Sequence, residues 1–92
     1  MKFKDTVDMM LSDDYKERFK AEYYQTKERY EKLKSFNTRI EAAVRANRTC
    51  TIPRVQMPKH DCPEEMLKNQ QGIMGEYLHI IELRAVIEGI EL

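Results

Sequence analysis

Between Tyr15 and Val44 the chain sets Tyr15, Phe19, Tyr23, Thr26, Tyr30, Leu33, Asn37, Ile40 and Val44 in a row. After the first step of four, the spacing alternates three and four, which is a heptad seam held for about four heptads. No proline or glycine interrupts it from Tyr15 to Ala46. A single long helix is the only regular element that such a pattern fits. At 1.5 Å per residue, a helix from Tyr15 to Ala46 spans roughly 48 Å. Glu17, Lys20, Lys27, Glu28, Glu31 and Lys32 fall on the outer faces, as a solvated surface requires. Ser12-Asp13-Asp14 supplies N-cap chemistry, with Glu17 spaced to complete a capping box on Asp14.

The seam's content is unusual, with three tyrosines and two polar residues, Thr26 and Asn37, among its nine positions. Two readings stand open: a coiled-coil-like core whose polar members set register, or a lined cavity. Tyrosine offers a stacking face with a polar tip, which suits a nucleobase as well as a core. Tyr24 lies off the seam, so its burial needs a second packing partner.

A second helix is expected over 63–88. Cys62-Pro63-Glu64-Glu65 places proline and two acids at a helix start, and Gly89 is a natural stop. Its apolar residues exceed what one partner helix covers. One stripe is Met66, Ile73, Tyr77, Ile80, Arg84, Ile87; another is Leu67, Met74, Leu78, Ile81, Ala85; Leu83, Val86 and Ile90 fall outside both. The two stripes are expected to cover the long helix, and the three remaining residues to bury against another copy of the chain or a neighbour's N-terminal helix. Gly72 and Gly75 each cost roughly 1 kcal/mol against alanine in mid-helix, so a backbone or ligand is expected to come close there. Arg84 is spaced to pair with Glu88, or else to meet an anion.

A short helix over 3–11, with Phe3, Val7, Met10 and Leu11 at helical spacing, needs a surface to lie against. The expected architecture is therefore all-α and a single domain over 1–92. Helices over 3–11, 14–46 and 63–88, with a loop over 47–61, make an antiparallel hairpin that oligomerises through its helix faces. Ninety-two residues bury a modest core, which also favours a partner subunit.

Formal net charge is zero, but its distribution is uneven. Residues 1–41 hold ten Lys/Arg and nine Asp/Glu; residues 42–60 hold four and none; residues 61–92 hold two and seven. The loop's Arg48, Arg54 and Lys59, with Arg45 and His60, make a plausible phosphate clamp, because guanidinium forks bind phosphate in bidentate fashion. A solvated basic loop is the competing reading. Zero net charge and the acidic last third disfavour nucleic acid as a partner. Cys50, His60, Cys62 and His79 fit no common zinc spacing, and the two cysteines are expected to stay reduced. With no nucleophile–base set, Gly-rich phosphate loop or metal constellation in the sequence, neither catalysis nor a cofactor is expected. No apolar run approaches a membrane span and the charged start is unlike a signal peptide, so the expected location is the cytoplasm of whatever cell makes the protein.

The stretches DYKERFKAEYYQTKERYEKL (14–33) and CPEEML with MGEYLHIIELRAVIEGIEL, within 62–92, resemble a family of short bacteriophage proteins related to a protein of a crAss-like phage. That resemblance implies an accessory role against host defence. Small helical oligomers of this kind look like the anti-CBASS and anti-Thoeris sponges, which trap cyclic or ADP-ribose-derived nucleotides between subunits. On that reading Tyr15 or Tyr24 stacks a base, Arg48, Arg54 or Lys59 holds phosphate, and Arg84 completes the ligand set. The partners are then a second copy of the chain and a small phosphorylated nucleotide. The alternative is an inhibitor or adaptor that docks an apolar helix face on a host or phage protein.

Overall fold

The computed structural model describes residues 3–48 and 55–92. A 3₁₀ turn (Phe3–Thr6) runs into α1 (Val7–Met10), followed by the long α2 (Tyr15–Asn47) and by α3 (Glu64–Glu88). All regular structure among the described residues is helical, and α2 and α3 pack side by side in a body 57 × 25 × 20 Å in extent. The expected helix over 14–46 is continuous across Thr26 and Asn37, and it runs one residue further.

The caps explain the boundaries. Asp14 has extended backbone and its carboxylate accepts from the Lys16 N–H at 3.0 Å. Its own N–H donates to Ser12 Oγ at 3.1 Å, so Ser12 does the work expected of Glu17. A hydroxyl two residues away reaches that donor with less ordering of its side chain than a glutamate one turn on. At the other end, Gly89 takes the left-handed conformation, φ 72°, that closes a helix without steric penalty. The Ile90 N–H then donates to the Ala85 carbonyl at 2.8 Å.

That closure corrects the reading of Ile90. Turned back by Gly89, it is buried with Phe19, Tyr23, Leu78, Ile81 and Ala85 in the hairpin's apolar core. The stripe containing Leu78, Ile81 and Ala85 faces α2. Of the stripe Met66, Ile73, Tyr77, Ile80, Arg84, Ile87, Tyr77 and Arg84 reach α2 through their polar ends, whereas Met66, Ile73, Ile80 and Ile87 do not cover it and are exposed, as are Leu83 and Val86. A two-helix layer has one contact face per helix, and α1 lies on α2, so no other described element packs on α3's outer side. There Gln25 Nε2 donates to Thr6 Oγ1 at 2.8 Å, fixing the N-terminal segment to α2.

Asn37 sets the register of the hairpin. Buried on α2, it donates through Nδ2 to the Leu67 carbonyl (3.1 Å) and to Gln71 Oε1 (2.9 Å) of α3, while its own Oδ1 has no hydrogen-bond partner among the described residues.

Candidate functional site

Tyrosine–glutamate pairs cross the hairpin in both directions. Tyr15 donates to Glu88 Oε1 at 3.0 Å, Tyr23 to Glu82 Oε2 at 2.8 Å, and Tyr77 returns the contact from α3 to Glu22. Antiparallel helices with tyrosines on or near the seam place each hydroxyl at the rim, where an acid of the opposite helix meets it. Burial, followed by the Glu82 carboxylate, pushes the Tyr23 hydroxyl up to about 12. Burial and then Glu88 raise Tyr15, and the hydrogen bond to Glu22 leads for Tyr77. All three therefore act as donors at neutral pH.

At the open end of the hairpin, Arg84 joins the first of these pairs. Its Nε lies 3.1 Å from Glu88 Oε2, its Nη2 donates to the Tyr15 hydroxyl at 2.6 Å, and its guanidinium sits 5.1 Å from the Phe19 ring centre. The expected Arg84–Glu88 pair is present, and it brings together two of the residues read as ligand-binding, Tyr15 and Arg84. Both carry partners already.

The other residues of that set lie elsewhere. Tyr24 is half-buried beside the seam, its ring edge-on to Tyr23 at 5.2 Å, so its packing partner is a neighbouring tyrosine. Arg48 and Lys59 are exposed, and Arg48, at the far end of α2, is about 50 Å from Tyr15 by the rise of that helix. Arg54 lies outside the described residues, as does Cys50. Arg45 finds Glu41 one turn back at 3.5 Å, just beyond the acid-free stretch. The loop is tied down by Asn47, which donates to the Val55 carbonyl at 2.8 Å and accepts from its N–H at 3.3 Å. His60 Nδ1 lies 2.8 Å from the Cys62 carbonyl, which makes that nitrogen the donor, and its ring meets Phe36 edge-on. Arg39 stacks on Phe36 from another side, at 5.4 Å. Among the described residues no three His, Cys, Asp or Glu side chains are grouped to hold a metal ion, and no helix is long and apolar enough to cross a membrane.

A cleft between the two long helices brings in residues absent from that ligand set. Its floor is Gly75 and Leu78 of α3; Tyr23 and Tyr30, one heptad apart on α2, stand at its ends; Lys27, Glu31 and Glu82 rim it. Its volume is about 210 Å³. Gly75 shapes it: a Cβ built there would lie 3.3 Å from Tyr30 Cε1, so the tyrosine ring rests almost on the α3 backbone. The mid-helix glycine and the seam tyrosines were the legible signals. Only the register from Asn37 places Gly75 opposite Tyr30. Among the described residues nothing lies within 4 Å of a Cβ built at Gly72, so the close approach expected there is seen only at Gly75.

No curated protein and no solved structure matches this chain. A family model does, over residues 13–87, a span that takes in α2 from its cap, the loop, and α3 to its last turn. The match covers both helices of the hairpin, the tyrosine–glutamate pairs from Tyr23 to Glu82 and the cleft between them, and the chain belongs to the Sequestin family.

Proposed function

We propose that this protein binds and sequesters a small nucleotide immune signal, a cyclic oligonucleotide or an ADP-ribose derivative, as an accessory anti-defence protein of a phage in the host cytoplasm. Family membership across the whole hairpin carries the reading, since the family's name denotes sequestration. The residues add a reason of their own: aromatic faces and cations recur along one hairpin, and these are the groups that stack bases and hold phosphates. The ligand is held by contacts alone and leaves intact.

Self-association belongs to the same proposal. Met66, Ile73, Ile80 and Ile87 repeat at seven-residue spacing on the outer face of α3, with Leu83 and Val86 beside them, all exposed. Val86 and Ile87 are each 82% exposed. A seam of this kind on a 25-residue helix matches a second copy of itself, and pairing brings cations of one subunit toward aromatic groups of the other. The same face favours a second reading, docking on a host or phage protein.

The test is calorimetry against cyclic dinucleotides, cyclic trinucleotides and ADP-ribose isomers, with mass analysis of the ligand after heat release. Reversible binding with the ligand mass unchanged supports sequestration. No heat with any of them, together with stoichiometric capture of one host protein, supports the docking reading instead.

A further inference from the structure

We propose that two copies of the chain pair α3 to α3, antiparallel, about a two-fold axis at the level of residues 78 and 79; the inference rests on the self-association proposed above and adds its orientation and register. Shape comes first. The apolar outer face of α3 is uneven in height. Val86 and Ile87, near its C-terminal end, stand out furthest, each 82% exposed. About four turns toward the N-terminus the face is low, because Gly72 has no side chain and among the described residues nothing lies within 4 Å of a Cβ built there. A groove beside it is lined by Met66, Asn69 and Ile73 among others. An antiparallel pair seats the high end of each helix on the low stretch of the other. Val86 then lies over the partner's Gly72, Ile87 enters the groove, and Leu83 packs on the partner's Ile73. A two-fold contact is self-complementary, so both ends are filled at once.

Charge selects the same orientation. In a parallel pair each seam residue meets its own copy. Glu76, exposed between Ile73 and Ile80 on the seam, would then face a second carboxylate, and like charges brought together cost affinity. The protruding ends would also collide while the low stretches faced each other across a gap. Turned antiparallel, Glu76 comes beside the partner's His79, which is exposed on the same face. An imidazole N–H can donate to the carboxylate in either protonation state. The pairing also carries the partner's Gln70 alongside Arg84, so the Tyr15–Arg84–Glu88 cluster borders the interface.

Disulfide trapping of the full-length chain, with Cys50 and Cys62 replaced by serine, tests this. Ile73→Cys and Leu83→Cys proteins, mixed under reduction and then oxidised, are expected to give a cross-linked heterodimer identified by its mass. Each protein alone is expected to stay uncross-linked. In the antiparallel pair two copies of either cysteine stand about 15 Å apart along the axis, beyond the roughly 7 Å between Cα atoms that a disulfide spans. Gly72→Leu enters open space in the single hairpin and leaves it folded. By filling the seat of Val86 it should raise the dimer's dissociation constant roughly tenfold or more. Cross-linking of Ile73→Cys or Leu83→Cys with itself overturns the orientation. A dimer that fails to cross-link in the mixture, or that Gly72→Leu leaves unweakened, overturns the register. A wild-type chain that sediments as a monomer overturns self-association along with both. Calorimetry with nucleotides on the same proteins reads sequestration separately, so its failure is told apart from these.

Discussion

Tyr23 carries a stability signature that a pH titration reads directly. An unfolded chain releases a tyrosine proton near pH 10, whereas burial and the Glu82 carboxylate hold it on Tyr23 to about 12. The folded state thus binds more protons than the unfolded state across that interval, and stability falls as pH rises through it. The contribution is fully present below pH 10 and gone above 12. Denaturant midpoints measured from pH 9 to 12 should fall more steeply for wild type than for Tyr23→Phe; equal slopes would show that the hydroxyl and Glu82 do not interact. Arg84–Glu88 was readable at this scale because pairing four apart needs no tertiary information. The Tyr15 hydroxyl between them was not readable, because 69 residues separate it from Arg84 and the contact exists only in one register. The Ser12 contact with Asp14 was hidden for a different reason: two side chains competed for one donor, and proximity decided.

The long helix was legible from its unbroken heptad phase, and α3 from its acidic start and glycine stop. Which stripe of α3 met α2 was not, since both stripes have helical spacing and comparable apolarity. The choice fell to Asn37, whose bonds to Leu67 and Gln71 put the Leu67–Met74–Ile81 side inward. Replacing Asn37 with leucine removes an unpartnered buried oxygen along with those bonds. Global stability should stay level or rise, while the single register loosens. A loss above about 2 kcal/mol in chemical denaturation would instead mean that the Nδ2 bonds hold the hairpin energetically, beyond the usual net value of such bonds. The end of α3 offers a cleaner case. Gly89→Ala forces a side chain onto a φ of 72°, and unfolding should become easier by about 1 kcal/mol, with Ile90 held less firmly in the core. An unchanged midpoint would contradict the capping role.

At the scale of the molecule, the exposed apolar seam on α3 is the feature that supports the proposed second copy. Ile73→Glu with Ile80→Glu leaves every core residue in place, so the variant should remain helical by circular dichroism and sediment as a monomer. A wild-type chain that is already a folded monomer at micromolar concentration would contradict self-association. Ile90, placed at first among the surplus residues, is unsuitable for that test because its burial makes it a folding residue. The cleft was legible only in pieces, as Gly75 and two seam tyrosines, because a cavity is a property of register and not of either helix. What the hairpin is for turns on whether it carries a small molecule. Native mass spectrometry of protein purified from cells with active nucleotide signalling reads subunit count and cargo at once. The account predicts an oligomer with added mass matching an intact nucleotide, lost on heating. Protein that emerges at its bare chain mass from such cells, at every oligomeric state, would contradict it.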